Sequence, residues 1–457
     1  MMERDGDSQV RVMIVDLELF VPGGHLLRQI KSKVDFNFIY GKVKDLYKDG
    51  GRPSIDPVRL IKMWLVGYLY GIDSERRLEQ EVHLNLAYRW FLGIQLDERV
   101  PDHSTLSANR NGRFKGSTLF LDIFEGIVEQ CKQAGLVKSQ AVVTDSTHVK
   151  ANASDASAEF VTVTKAPREY VAALADAARE KDTAKREQLG KKKRGSKADK
   201  ESDGEGKKRT IRRSTTDPDA GYMNRPNKPK GFHYLAHLTI EPSHGIILNA
   251  TATAGNVNDH EPYVDCIEQA MTRHEIEEAA ADAGYDRAEV HARLAEMGIT
   301  SYTPAVEHIS GSADDNRFTV RDFEYDPQAD SYVCPAGNSL PFKYVARDKA
   351  QKIYSASQKN CKTCPLRDQC LAPSAKFRKL KRPLLQEHLD QAHERTKTDR
   401  YRELLRLRTI WCEGTNATLK ARHCLRRAMR RGLHNMREQL LMAAAALNIR
   451  RLVANHA

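Results

Sequence analysis

The hydrophobic pattern of the first quarter of the chain is helical. Asp56–Pro57 is a typical helix start, because aspartate caps free amide groups and proline already has the helical φ angle. From 60 to 69, apolar residues recur every three to four positions and form one apolar face. Shorter helices are predicted at 75–82 and 84–92, and a more polar one after Asp102. The pattern therefore predicts a compact helical region, typical of a helix-turn-helix module.

A β-rich pattern begins near residue 139. The run 140–145 is mostly apolar and ends in an acid, and the run 279–282 has the same pattern. The alternating run 231–240 is followed by a turn and a second run at 246–252, which predicts a hairpin. Strands followed by alternating helices and strands indicate a mixed α/β sheet. The other predicted elements are helices at 258–271 (capped by Asn258 or Asp259) and 287–297, and a strand at 300–305.

Two segments interrupt the α/β pattern. Residues 155–216 are weakly helical and then low in complexity, with basic runs and almost no large apolar residue after Leu189, so we expect a basic flexible insertion. It can be a solvated linker, the interpretation we prefer, or a DNA-binding arm. Residues 311–379 are the second interruption, and they contain half of the eight cysteines.

The overall charge suggests a class of partner. The 457 residues include 73 Lys and Arg against 61 Asp and Glu, a formal net charge of +12. Basic surfaces release counterions when they bind phosphates, so this charge favours a nucleic-acid partner. No run is long and apolar enough to span a bilayer, and the first residues are acidic, unlike a signal peptide. We expect a cytoplasmic protein without a membrane partner, in which cysteines are thiols or metal ligands.

Three acids lie where their carboxylates could converge. Asp145 and Asp282 end predicted strands, and Glu413 lies in a helical stretch near the C-terminus. Oxygen ligands suit Mg²⁺, and two such ions can stabilise both the attacking and leaving oxygens of a displacement at phosphorus. Taken singly, each acid is more often a surface or capping residue. Asp286 and Glu438 compete with Asp282 and Glu413 for these roles.

The sequence around these acids resembles the acidic motifs of DDE transposases from bacterial insertion sequences. The matching segments follow one another in the same order and cover most of the chain. They are 143–149 (VTDSTHV), 281–286 (ADAGYD) and 411–415 (WCEGT) followed by Lys420, together with Gly51–Arg52–Pro53, 101–105, 255–259 and 431–448.

This resemblance implies a ribonuclease-H-like mixed-sheet core preceded by a helical DNA-binding domain. It implies catalysis by Asp145, Asp282 and Glu413 with Mg²⁺ or Mn²⁺, cleavage at transposon ends, and strand transfer into target DNA. The expected partners are terminal inverted repeats and target DNA, bound by a homodimer at the nucleoid. The expected regions are 1–125 (helical), 138–310 with 380–457 (catalytic core), and the insertions 155–216 and 311–379.

Basic residues near the third acid and in the polar helix are predicted DNA contacts. In many relatives a Tyr and an Arg precede the glutamate at fixed intervals and a Lys follows it. Lys420 fits this pattern, whereas Arg408 is near the arginine position but displaced, and Tyr401 is too far upstream. A solvated surface is the alternative interpretation of the polar helix. The predicted DNA contacts are Lys420, Arg408, Arg110, Arg113, Arg426, Arg427, Arg430 and Arg431.

Four cysteines form a C…C-x-x-C-x₅-C pattern in the second insertion. Thiolate pairs on tight turns are typical of tetrahedral Zn²⁺ sites, and such a site would help a segment with few large apolar residues to fold. Cysteine-bearing insertions between the second and third acids occur in one branch of these transposases. We predict structural Zn²⁺ here, with unliganded thiols or disulfides as alternatives. The cysteines are Cys334, Cys361, Cys364 and Cys370; Cys131, Cys266, Cys412 and Cys424 are interpreted as small buried residues.

Two other functions fit parts of the sequence. A metal-dependent nuclease would share the acid cluster, but it would need neither a large basic surface nor an end-binding domain. In a non-catalytic, zinc-bearing DNA-binding regulator the acids would be structural. Inverted repeats flanking the gene would favour a transposase over both.

Overall fold

The computed structural model describes most of the chain. The described residues are 16–47, 50, 54–165, 176–181, 183–184, 207–226, 229–306, 317–346 and 350–455. Gly51–Arg52–Pro53 and the lysine-rich part of the first predicted insertion lie outside these ranges. Within them, no helix is long and apolar enough to cross a membrane.

The N-terminal part of the chain is helical, as predicted. The Asp56 carboxylate accepts a hydrogen bond from the Arg59 amide at 2.8 Å, and the helix that it caps ends at Gly71, whose φ of +70° is left-handed. Asp102 caps a later helix by accepting from the Thr105 amide at 2.7 Å. The helices are α1 (Leu17–Phe20), α2 (Leu26–Lys33), α3 (Phe38–Val43), α4 (Pro57–Tyr70), α5 (Glu75–Leu84), α6 (Leu86–Leu92), α7 (His103–Ala108) and α8 (Leu119–Gln133).

Eight strands follow, and six of them form one mixed sheet. They are β1 (Ala141–Lys150), β2 (Ala158–Lys165), β3 (Lys207–Ser214), β4 (Gly221–Met223), β5 (Gly231–Ile240), β6 (Ile247–Ala254), β7 (Glu278–Ala280) and β8 (Thr300–Tyr302). The sheet order is β4–β5–β1–β7–β8, and β6 also pairs with β5. β5 is antiparallel to its three neighbours, whereas β1, β7 and β8 are parallel. The predicted hairpin of β5 and β6 is therefore confirmed.

Two predicted elements differ in the structure. Between β6 and β7 the helix α9 (Tyr263–Met271) begins after Pro262, later than predicted, and the Asp259 side chain accepts a hydrogen bond from Ser146 instead of capping this helix. The first insertion, predicted to be weakly helical, has a 3-10 turn at Asp155–Ser157 and helix at 176–181 and 183–184, but β2 and β3, which were not predicted, pair in an antiparallel ribbon of their own. The predicted helix after Asp282 is present as α10 (Ala288–Glu296).

The second predicted insertion contains a five-stranded antiparallel sheet with a small core of its own. The core includes Tyr332, Leu340 and Tyr354, and Cys334, Cys361 and Cys370 pack against it. The elements are β9 (Glu324–Asp326), β10 (Ser331–Val333), β11 (Ser339–Ala346), β12 (Gln351–Ser355), α11 (Gln358–Lys362), α12 (Arg367–Cys370) and β13 (Lys379–Pro383).

The C-terminal helices bring the helical region and the main sheet together. They are α13 (Gln386–Arg395), α14 (Asp399–Arg408), α15 (Gly414–Arg422) and α16 (Leu433–Ala454). The small buried residues of α16 let it pack closely against α8, β6 and α4. Asn448 in this helix pairs with the Ile247 backbone, accepting from its amide and donating to its carbonyl at 2.9 Å each. One continuous apolar core therefore spans the helices and the sheet.

Candidate active site

The register of two parallel strands places Asp145 and Asp282 side by side. Val143 of β1 is opposite Ala280 of β7, and each aspartate follows its partner residue by two positions. Asp145 lies in the middle of β1, while Asp282 comes just after β7 and accepts a hydrogen bond from the Gly284 amide at 2.8 Å. Because neighbouring parallel strands run in step, both carboxylates reach the same edge of the sheet.

A single guanidinium bridges the two aspartates. Arg408 Nη2 is 3.0 Å from Asp145 Oδ1 and 3.6 Å from Asp282 Oδ2. The side chains of Arg408 and Asp145 are 15% and 16% exposed, and that of Asp282 is 40% exposed. Asn416 Nδ2 donates to the other Asp145 oxygen at 3.3 Å. The two acids are therefore arranged around a position that holds positive charge.

Burial and neighbouring charges shift the pKa values of this cluster. Burial raises the pKa of Asp145 above its usual value, Arg408 opposes that rise, and Asp282 adds to it. Burial alone would lower the pKa of Arg408, but the two aspartates outweigh it and the pKa is raised. The guanidinium therefore stays charged, and it offsets part of the repulsion between the carboxylates.

Glu413 lies at the end of one π-type turn, Thr409–Glu413, between α14 and α15. The glutamate is exposed, whereas Cys412 beside it is fully buried. Burial raises the pKa of the Cys412 thiol, and Asp145, Asp282 and Glu413 each raise it further. Asp145 and Asp282 act on this thiol from other elements, whereas Glu413 acts on it as its neighbour in the chain.

The π-type turn also accounts for the displaced arginine. In a π turn, hydrogen bonds join residues five apart instead of four, so that the turn holds one more residue than a turn of α-helix. Arg408 and Glu413 are five residues apart across this turn. The extra residue therefore returns both side chains to one side of the helix. No tyrosine takes a matching position, since Leu405 precedes Arg408 by three residues and Tyr401 by seven.

Two family comparisons cover both ends of the chain. A family model described as a transposase domain matches residues 15–112, and one described as a transposase DDE domain matches residues 333–453, which include Glu413. The chain is a DDE transposase. The function that follows is DNA transposition by an enzyme of this family, and DDE transposases generally use divalent metal ions.

Two searches of individual proteins add little to the family matches. No curated protein matches the transposase. Among solved structures, it is similar to a cryo-EM structure of the piggyBac transposase synaptic complex with hairpin DNA, at 11% identity and a TM-score of 0.27 over 93% of this chain and 81% of that one. This likeness is too low to support a structural argument.

The acids of the transposase meet the requirements of a divalent ion only in part. Carboxylate oxygens are suitable ligands for Mg²⁺, and Asp145 and Asp282 already share one cation, the guanidinium of Arg408. Over the described ranges, however, no group of three or more His, Cys, Asp or Glu side chains is arranged to hold a metal ion. The two aspartates fit a metal, and Glu413 would have to turn towards them.

The two competing acids have other roles in the structure. Asp286 is buried and lies 3.0 Å from both His291 Nε2 and His393 Nε2. Burial alone would raise the pKa of Asp286, but these hydrogen bonds outweigh it and lower the pKa. Glu438 is also buried and pairs with Arg430 at 2.6 Å and with His434 at 3.1 Å. Both acids are therefore held by internal partners away from Arg408.

Two residues beside the cluster were not singled out from the sequence. Asn416 lies three residues after Glu413, one turn along the helix, and contacts Asp145. Asp259 accepts a hydrogen bond from Ser146, the neighbour of Asp145, at 2.7 Å. The signal for Asp259 was present, since the segment 255–259 belongs to the family resemblance. Asn416 carried no such signal.

The residues predicted to contact DNA differ in their exposure. Arg110 is buried, pairs with Glu75 and lies 4.6 Å over the Trp64 ring, so its prediction as a DNA contact is not supported. Arg430 is likewise engaged with Glu438. Arg113 is half-buried over the Tyr47 ring, and Lys420 is half-buried as well. The exposed members of the predicted set are Arg426, Arg427 and Arg431.

The four cysteines of the second insertion line one pocket together with Asn338 and Arg378. The Asn338 amide donates to Cys334 Sγ at 3.3 Å. Burial raises the pKa of Cys370, and the sulfurs of the other three cysteines raise it further. The thiols are therefore neighbours, although among the described residues they too are not arranged as a metal site. Of the other four, Cys131, Cys266 and Cys412 are buried and Cys424 is half-buried.

Proposed function

We propose that the transposase cleaves DNA at the ends of its element and joins the resulting 3′-hydroxyls to target DNA, with Asp145, Asp282 and Glu413 as catalytic carboxylates. The observation that carries this proposal is the guanidinium of Arg408 between the two aspartates. It identifies a position for positive charge at the edge of the sheet. The place of Glu413 as the third acid rests on its position at the end of the π-type turn that follows Arg408.

These carboxylates would bind Mg²⁺ or Mn²⁺. Bound in a pair, such ions stabilise the attacking and leaving oxygens of a displacement at phosphorus. Asn416 orients Asp145 through its hydrogen bond, and Arg408 neutralises the two aspartates before a metal arrives. Asp145 and Asp282 would hold the divalent ion, and the Arg408 guanidinium beside them would be placed to contact a phosphate of the bound DNA. Lys420, seven residues beyond Glu413, would contact the DNA backbone nearby.

Two elements cross the region boundaries proposed from the sequence: α8 continues past residue 125 to Gln133, and β13 (Lys379–Pro383) pairs within the sheet of the second insertion. The catalytic core would be ribonuclease-H-like and consist of 138–310 and 380–457, with β5 antiparallel to β1 and β6, and with β1, β7 and β8 parallel. The helical region 1–125 would bind terminal inverted repeats, and a homodimer would hold two ends together. Arg113, Arg426, Arg427 and Arg431 are the proposed contacts outside the acid cluster. We place the protein at the nucleoid.

The cysteine-bearing insertion, 311–379, would bind structural Zn²⁺ through Cys334, Cys361, Cys364 and Cys370. Two features support this: all four thiols line one pocket, and the apolar core beneath them is small. A small core needs a further source of stability, which bound zinc supplies directly.

Cleavage of DNA that carries the terminal repeats, assayed with Mg²⁺, tests the catalytic assignment. Asp145→Asn, Asp282→Asn and Glu413→Gln each keep the size of the side chain and remove its charge. We expect each to lower the cleavage rate by about 10²–10³ or more, the loss typical when a transition-state-stabilising group is removed. Asp97→Asn, at an exposed acid of the helical region, is the control. Cleavage at the wild-type rate by the Glu413 or Asp145 variant would show that the assignment is incorrect.

A further inference from the structure

The β2–β3 ribbon (158–165 and 207–214) lies outside the main sheet. Its strands pair with each other from Ala158 opposite Ser214 to Lys165 opposite Lys207. The ribbon follows the catalytic strand β1 and leads into β4 at the edge of the sheet. It is anchored at its base, where the Thr215 amide donates to the Ser157 carbonyl at 2.9 Å. The ribbon is thus attached directly to the strand that carries Asp145.

One face of the ribbon carries an exposed aromatic ring beside an ordered arginine. Phe160 is 72% exposed, an unusual state for a large apolar residue in the described part of the chain. Its cross-strand partner is Arg212, whose guanidinium lies 5.6 Å over the Phe160 ring and 4.6 Å over the Tyr222 ring of β4. Arg212 also donates to the Tyr222 hydroxyl at 2.5 Å. These contacts fix the arginine beside the ring.

The charge of the ribbon is strongly basic. Its two strands contain six Lys or Arg residues and one acid, Glu159. Arg213, paired with Glu159, is exposed, as are Thr162 and Thr210. A ribbon of two strands fits the major groove of B-DNA, which is about 12 Å wide. Phe160, Arg212, Thr162 and Thr210 share one face of the ribbon, which is suited to contact with bases or sugars, while Arg213 is exposed on the other face and can meet a phosphate.

Two arginines of the C-terminal part of the chain contact the segment that precedes the ribbon. Arg427 Nη2 donates to Asn152 Oδ1 at 3.1 Å, and Arg431 Nε donates to the Asn152 carbonyl at 3.2 Å. Asn152 lies between the end of β1 and the base of the ribbon. Both arginines are exposed, and their contacts with Asn152 place them beside the segment that leads from β1 into the ribbon.

We propose that the β2–β3 ribbon binds double-stranded DNA beside the catalytic acids, with Phe160 contacting the groove and Arg213 a phosphate. This assigns a function to the start of the first insertion, for which the sequence favoured a solvated linker. The proposal rests on the enzyme acting on DNA, but not on the identity of its catalytic residues.

The test is DNA affinity measured in EDTA over a range of salt concentrations, so that no cleavage takes place. Terminal-repeat duplex and an unrelated duplex are both used as probes. We expect Phe160→Ala to weaken binding by about tenfold, within the range for loss of an aromatic contact to nucleic acid. We expect Arg213→Gln to reduce the slope of log K against log[salt] by about 0.9, the value for one phosphate contact. The control variants are Leu121→Ala, at an exposed apolar residue, and Lys376→Gln, at an exposed cation.

The two probes separate the possible DNA sites. Equal losses on both duplexes would place the ribbon on any DNA, including the target, and a loss confined to the terminal-repeat duplex would place it on the transposon end. If both variants bind both duplexes as the wild type does while the wild type cleaves DNA, the ribbon proposal fails and the catalytic proposal stands. If binding depends on the ribbon but the wild type does not cleave with Mg²⁺, only the catalytic proposal fails.

Discussion

Arg408 offers a sensitive test of the electrostatics at the acid cluster. Replacing it by Gln keeps much of the side-chain volume but leaves Asp145 and Asp282 without their shared cation. Removing one partner of a buried ion pair costs about 3–5 kcal/mol. Because Asp282 is 40% exposed and water screens it, we expect the lower end, about 3 kcal/mol of unfolding free energy. Denaturant titration in EDTA measures this difference.

A double-mutant cycle shows whether the loss comes from the carboxylates. In an Asp145→Asn background only one charged aspartate remains, so Arg408→Gln should cost about 1 kcal/mol or less. The exposed Arg406 on the same helix supplies the control variant, Arg406→Gln. Equal losses from Arg408→Gln in the two backgrounds would refute the ion-pair explanation.

The same variants respond differently to a divalent ion. Since a ligand present at a hundred times its Kd stabilises a protein by about 2.7 kcal/mol, Mg²⁺ should restore most of the stability of Arg408→Gln. The wild type should gain less, because its guanidinium competes for the same two carboxylates. If Mg²⁺ stabilised both proteins equally, Arg408 would not occupy the metal position.

Three further predictions concern other parts of the molecule. Burial lowers the pKa of His237 from its usual 6.5 to about 4, so the unfolded chain binds this proton more readily than the folded protein does. The free energy of unfolding should therefore fall by about 2–3 kcal/mol between pH 6.5 and pH 4. Denaturant titrations at a series of pH values should show a smaller fall for His237→Gln. Paired replacement of Cys361 and Cys364 by Ser should abolish bound zinc in metal analysis, and unchanged zinc content would rule out the proposed site. Gly245→Ala should destabilise the protein and shift tryptophan fluorescence, because the φ of Gly245 is +76° and a Cβ would lie 2.2 Å from the Trp411 ring.

The parts of the fold that depend on local patterns were predictable. The cap at Asp56 and the hairpin of β5 and β6 follow from neighbouring residues, and both are present. The prediction that Asp282 follows a strand is confirmed, whereas the prediction that Asp145 ends one is wrong, because β1 continues to Lys150 by pairing with β5; the parallel register of β1 and β7 still places the two acids side by side. The alternating Val161, Thr162 and Val163 of β2 also favoured a strand, a signal outweighed in the sequence by the low-complexity residues after it.

Features that depend on distant contacts could not be read from the sequence. The polar helix pattern suggested an exposed Arg110, but its partner Glu75 and the Trp64 ring come from other helices and bury it. The spacing of Arg408 was misleading because a helical pattern assumes 3.6 residues per turn, whereas the chain has a π-type turn there. A one-residue irregularity of this kind leaves no mark in hydrophobic periodicity.

Metal rescue tests the central claim most directly, namely that the three acids are metal ligands. The measurement is DNA cleavage by Asp145→Cys and Glu413→Cys in Mg²⁺ and in Mn²⁺, with Asp145→Ala and Glu413→Ala as controls. A thiolate is a poor ligand for Mg²⁺ and a better one for the softer Mn²⁺. We therefore expect both cysteine variants to be inactive in Mg²⁺ and partly active in Mn²⁺, and the alanine variants to be inactive in both. Wild-type activity of any of these variants in Mg²⁺ would contradict a ligand role at that position.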